Sequence, residues 1–244
     1  MEIFRKMSFA DSTGDAIPFY HEGKYHIFSL TSPPGTTVYP ERLRTTWSHS
    51  ISDDLVHWQE LPTALYPGEG DEPDASGVWT GSVIYGEGQY HAFYTGYCLT
   101  AEFQQTICHA TSDDGITWTK DIANPVITPM TELYEKLDWR DPYVFYNEED
   151  ENYWILISAR RLDMPVTRRG CIVLYRSKNL KDWTYYGPIY SPGHTNCPEC
   201  PEMYKMGGHW YLSYSRFSEF VNTIYRVSES PFGPWRKPKK DGIG

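Results

Sequence analysis

A serine followed six residues later by a tryptophan, with a short polar turn between them, recurs along this chain and narrows its fold more than any other feature. The closings are Ser52 to Trp58, Ser112 to Trp118, Ser177 to Trp183 and, one residue longer, Ser228 to Trp235. Successive serines stand 60, 65 and 51 residues apart. Ahead of each closing lie two aromatic-rich runs of period two, separated by a polar turn. The turns hold Glu22-Gly23, Gly86-Glu87-Gly88, the stretch from Asn147 to Asn152, and Gly207-Gly208. A repeat of this length, built from short strands, suits a four-stranded blade. A lone blade cannot bury both sheet faces, so several blades packed around an axis give a β-propeller.

The expected architecture is therefore all-β, a single propeller domain over residues 1–244 with units at about 15–58, 77–118, 139–183 and 199–235. No helix of ten residues is predicted, only a short helical turn at Thr131 to Leu137. Residues 1 to 14 either lead in or lend a strand to a distant blade.

Nine Trp and twenty Tyr are unusually many for 244 residues. Aromatic rings fit pleated surfaces, and most of these are expected in the core. Rings of this kind also stack on the apolar faces of sugars. The net charge of −10 is the wrong sign for a phosphate backbone, which argues against a nucleic-acid partner. Five cysteines outline no disulfide framework. Cys197 and Cys200 have metal-ligand spacing, but no second pair accompanies them and Pro198 and Pro201 crowd the loop. No dense acidic loop suggests calcium. Neither a metal nor a cofactor is expected. No long apolar run suggests a membrane span or signal peptide, and a cytoplasmic location is the expectation.

Three acidic residues stand just before the first strand of a unit: Asp15, Asp141 and Glu199. Equivalent loops of a propeller gather at one end, so such residues are expected to converge. Asp141 immediately precedes Pro142, which holds it extended. Glycoside hydrolysis needs two carboxyls, one as acid on the leaving oxygen and one that attacks the anomeric carbon or activates water; their separation sets the stereochemistry. Arg140 is placed to keep Asp141 ionised. His194, in the loop before Glu199, is a candidate substrate contact. His26, His91 and His209 stand at matching places beside hairpin turns and read as structural residues of the repeat.

The residues also resemble a known family. Arg140-Asp141-Pro142 and Glu199-Cys200-Pro201 match the Arg-Asp-Pro and Glu-Cys-Pro motifs of glycoside hydrolase family 32, the invertase and fructanase group. Trp47 to Trp58 with Leu61-Pro62, Trp79-Thr80-Gly81-Ser82, Phe93-Tyr94-Thr95-Gly96, Ser112-Asp113-Asp114-Gly115 and Asn124-Pro125-Val126-Ile127 are similar to further family stretches. That family belongs with families 43, 62 and 68 among five-bladed propeller enzymes. The resemblance implies that Asp15 is the nucleophile of a retaining mechanism, Glu199 the general acid/base and Asp141 the transition-state stabiliser. It also implies that Trp47, Trp79, Ser82, Gln104 and Arg140 contact a β-fructofuranoside such as sucrose or a short fructan.

Two departures qualify this. Ser12-Thr13-Gly14-Asp15-Ala16-Ile17-Pro18 replaces the family's Trp-Met-Asn-Asp-Pro-Asn-Gly, so one residue must be absorbed near the strand start, and Asp11 is the alternative nucleophile. Gly14-Asp15 before Pro18 also resembles family 43-like inverting arabinosidases and xylosidases. Second, four units are evident where the family has five, and nothing resembles its C-terminal β-sandwich. A shortened propeller, its open edge covered by a second copy, is the expectation. A propeller that binds carbohydrate without turnover is the alternative.

Overall fold

The computed structural model describes residues 12–216 and 222–240. Asp11 and the rest of the expected lead-in through residue 11 lie outside the described residues. Among the described residues there are two short 3-10 turns, Glu41–Leu43 and Val166–Arg168, and no α-helix, hence none long and apolar enough to cross a membrane.

The strands form four antiparallel sheets in sequential order. Blade 1 is β1 (Thr13–His21), β2 (Lys24–Thr31), β3 (Thr46–Ser52) and β4 (Trp58–Leu65). Blade 2 is β5 (Gly77–Gly86), β6 (Gln89–Tyr97), β7 (Gln105–Ser112) and β8 (Thr119–Lys120). Blade 3 is β9 (Tyr134–Asn147), β10 (Asn152–Arg161), β11 (Gly170–Ser177) and β12 (Thr184–Tyr190). Blade 4 has β13 (Glu199–Met206), β14 (His209–Ser215) and β15 (Thr223–Ser228), with an isolated bridge between Val227 and Arg236 at the place of a fourth strand. This is an all-β, four-bladed β-propeller fold, as the four repeats predict.

The blades fall into two compact units, residues 1–127 and 128–244. Within unit 1, β1 and β3 pack on β5 around buried Phe28, Trp47, Val78 and Tyr94. Within unit 2, β9 and β10 pack on β13 around Trp154, Leu156, Ile172, Leu174, Leu212 and Tyr214. Each core thus receives the inward-facing half of an alternating pattern.

The Ser-to-Trp closings are turns between the third and fourth strands. Ser112 Oγ accepts the Gly115 N–H at 2.9 Å, while Asp114 Oδ1 accepts those of Ile116 and Thr117 at 2.8 and 2.7 Å. Ser52 with Asp54 and Ser177 with Asn179 repeat the pattern. The turn needs one left-handed residue, supplied by Leu55 (φ 63°), Gly115 (φ 71°) and Leu180 (φ 60°).

The expected helical turn at Thr131 to Leu137 is corrected. A single turn closes at Tyr134, whose N–H donates to the Met130 carbonyl, and β9 then runs extended. The Tyr134 ring is buried against Trp139, and its hydroxyl meets that of Tyr185 at 2.9 Å. That packing favours pairing with β10 over continuing the helix. His26 and His91 are structural, as predicted. Each is buried against a second imidazole, with His26 Nδ1 3.0 Å from His49 Nε2 and His91 Nδ1 2.9 Å from His109 Nε2. His209 is exposed instead.

Candidate active site

The first strands of all four blades share one irregularity. In β1, Gly14 and Asp15 stand between the pairs Thr13↔Thr31 and Ala16↔Ser29, opposite Leu30 alone. In β5, Trp79 and Thr80 stand opposite Thr95; in β9, Asp141 and Pro142 opposite Ile157; in β13, Cys200 and Pro201 opposite Tyr214. Each is a β-bulge, an extra residue that re-aims the side chains around it. Pro142 and Pro201 are tolerated because the bulge leaves their positions outside the ladder. Asp141 (φ 56°) and Cys200 (φ 48°) hold left-handed backbone without being glycine. That conformation costs about 1–2 kcal/mol and is characteristic of functional positions. Gly81 follows the β5 bulge because a Cβ there would meet the Phe93 carbonyl oxygen at 2.0 Å.

In unit 2, these bulges bring Arg140, Asp141 and Glu199 together. Arg140 Nη2 donates to Glu199 Oε1 at 2.8 Å, its Nε lies 3.8 Å from Asp141 Oδ2, and its Nη1 donates to Asp138 Oδ1 at 2.5 Å. Asp141 is 6 % exposed, and its Oδ2 accepts the Cys200 N–H at 2.9 Å. The Cys200 backbone thus holds Asp141, and buried Cys197 lies beside Arg140. Burial pushes the Cys197 thiol well up, so it stays protonated. Burial alone disfavours the Arg140 charge, yet the Asp141 and Asp138 carboxylates around it hold the guanidinium well above its ordinary range. Asp138 is half-buried, which disfavours its charge, but Arg140 and Arg160 keep its carboxyl low. His194 is exposed in the loop before β13.

In unit 1, Asp15 is exposed on β1, and its Oδ2 accepts a short hydrogen bond from the Thr80 hydroxyl of the β5 bulge. Ser82, on the same strand, is buried. Trp79 is half-buried, stacked on Tyr97 with centroids 4.1 Å apart, and its indole donates to the Leu43 carbonyl at 3.0 Å. The expectation for Trp47 as a sugar contact is corrected. Its side chain is fully buried among Phe28 and Tyr94, and its Nε1 donates to the Trp79 carbonyl at 2.9 Å, so it positions Trp79 instead. Gln104 closes a loop, donating to the Leu99 carbonyl at 3.1 Å while its own carbonyl accepts the Cys98 N–H.

Thr80, Asp138 and Arg160 also belong to these clusters. Asp138 stands two residues before Arg140 on one strand, hence on the same face, and that spacing is a readable signal. Thr80 has a weaker one, its matching place to Asp15 in the repeat.

The glycosyl hydrolases family 32 N-terminal domain matches residues 15–232. The chain belongs to that family. Family 32 relatives include the levanase of Bacillus subtilis, 33 % identical over 77 % of this chain and 26 % of its own length. The raffinose invertase of Escherichia coli is 32 % identical over 79 % of this chain and 39 % of its own length. Among solved structures, fructan 1-exohydrolase IIa from Cichorium intybus matches with a TM-score of 0.76 and 25 % identity, covering 93 % of this chain and 44 % of that one. The chain spans at most about half the length of such family 32 relatives.

Proposed function

We propose that this family 32 chain hydrolyses β-fructofuranosides with retention, taking sucrose or short fructans. The observation that carries the reading is the bulge pair of unit 2, where strained Asp141 and partly exposed Glu199 share one guanidinium inside the family's own motifs. The names of the relatives, levanase and raffinose invertase among them, support the substrate class.

In the proposed reaction the Asp15 carboxylate attacks the anomeric carbon of the fructosyl unit. Glu199 gives its proton to the departing oxygen, so the glycosidic C–O bond breaks as the ester bond to Asp15 forms. Glu199, now ionised, takes a proton from water, whose oxygen displaces Asp15. Asp141 accepts hydrogen bonds from sugar hydroxyls and gains strength as positive charge develops at the ring. The Thr80 hydroxyl, donating to Asp15, orients the attacking carboxylate.

The test is turnover of sucrose, inulin, levan and an aryl β-fructofuranoside, with the first-formed anomer followed by NMR. Retained fructose is expected. Glu199→Gln should lower kcat about 10²–10⁴-fold on sucrose and less on the activated aryl fructoside, which needs no proton on its leaving group. Inverted product, or sugar binding without turnover that Glu199→Gln leaves unchanged, overturns the proposal.

A further inference from the structure

Glu199 stands at one end of an alternating row of carboxylates and guanidiniums inside unit 2. Arg140 bridges Glu199 and Asp138 at 2.8 and 2.5 Å. Asp138 Oδ2 accepts from Arg160 Nη1 at 3.0 Å, and the same nitrogen lies 3.0 Å from Glu135 Oε2. Glu135 Oε1 pairs with Arg169, whose Nε donates to the Met164 carbonyl at 2.8 Å. Arg160 Nη2 donates to the Val166 carbonyl at 3.1 Å, so the row ends on the 3-10 turn. The backbone explains why two acids serve one arginine. Between the pairs Trp139↔Ala159 and Tyr134↔Arg161, four residues of β9 stand opposite Arg160 alone, and Glu135 and Asp138 begin and end that excursion.

With Asp141, the row sets four carboxylates against three guanidiniums. Their side chains are only 7–29 % exposed, Glu199 the most. Partly desolvated carboxylates in excess of cations favour uptake of a proton, and the exposed end is where one can come and go. The groups facing Arg140 and Glu199 are Asp138 and Asp141 from β9 and the neutral Cys197 thiol from the loop before β13.

We propose that Asp138 and Arg160 are positioning residues that set the proton affinity of Glu199 through Arg140. The inference rests on the reading of Glu199 as the general acid/base. Asp138 draws on the Arg140 charge and so leaves Glu199 less of it; Arg160 offsets Asp138 and returns that charge. Removing either therefore displaces Glu199 in opposite directions.

Two readouts test this: the pH profile of kcat/KM on sucrose, whose leaving group needs the Glu199 proton, and a titration of the Glu199 carboxyl by ¹³C NMR in glutamate-labelled protein, assigned with Glu199→Gln. Asp138→Asn should move both the basic limb and the NMR midpoint to lower pH, by about 0.5–1 unit. Arg160→Met should move both upward. Shifts of the same sign, or none, in folded variants overturn the proposal. Should Asp138→Asn fail to fold, Glu135→Gln, which frees Arg160 and so lowers the midpoint, takes its place. If no fructoside is hydrolysed, opposed NMR shifts still uphold the row while the fructosidase reading falls.

Discussion

His49 stacks on Phe28 with centroids 4.1 Å apart and is fully buried, with His26 against its Nε2. Burial first, then the neighbouring His26, holds its pKa at about 3. The unfolded imidazole takes a proton near pH 6.5 and the folded one does not, so stability is complete above 6.5 and declines as the pH falls toward 3. This group alone should withdraw roughly 2 kcal/mol between pH 6.5 and 4.5. Urea unfolding of His49→Gln should show a shallower decline over that window than the parent chain, and equal slopes would remove His49 as the cause. Asp114 acts lower on the scale. The Thr117 and Ile116 N–H groups hold its carboxyl at about 2, so its contribution is present above pH 4 and lost on approach to 2. Asp114→Ala should reduce the urea midpoint at pH 6 and have little further effect at pH 2. The turn serving Asp114 was legible in the sequence as a recurring Ser, polar residue and Trp. The partners His49 and His109 were not, because a diagonal cross-strand contact depends on register, which one strand's sequence does not state.

At the level of the strand, the bulge decides where each acid stands. Matching the chain to the family without a gap puts Gly14, not Asp15, at the nucleophile position. In the structure Gly14 and Asp15 share the place opposite Leu30, so β1 carries one residue more than its partner there. The Arg-Asp-Pro and Glu-Cys-Pro motifs could be read directly, but the left-handed backbone at Asp141 and Cys200 could not: the proline after each predicts an extended residue, and the bulge overrides that expectation. A β-branched side chain is hardest to hold there. Cys200→Val should therefore be less stable than Cys200→Gly by about 1–2 kcal/mol in chemical denaturation. Equal stabilities would mean that the strand relaxes to ordinary φ at no cost. The missed extension of β9 has the same character, because the burial of Tyr134 is a tertiary fact that overrode local propensity.

For the molecule as a whole, four blades were countable because each repeats its turn chemistry. The division into two units was not, since both cores draw on the same alternating pattern. The charge of −10 gives a field that steers ions, but a neutral fructoside offers it nothing to act on. For a neutral substrate, kcat/KM should change less than about twofold between 50 and 500 mM NaCl, whereas a strong dependence would point to an anionic substrate. The shared bulge also bears on redesign. Each blade offers adjacent attachment points at one strand entrance, and blade 2 fills its own with an indole and a hydroxyl. Exchanging residues among those points relocates a functional group by one backbone step while every ladder stays in register, so new chemistry can be installed there without rebuilding the scaffold.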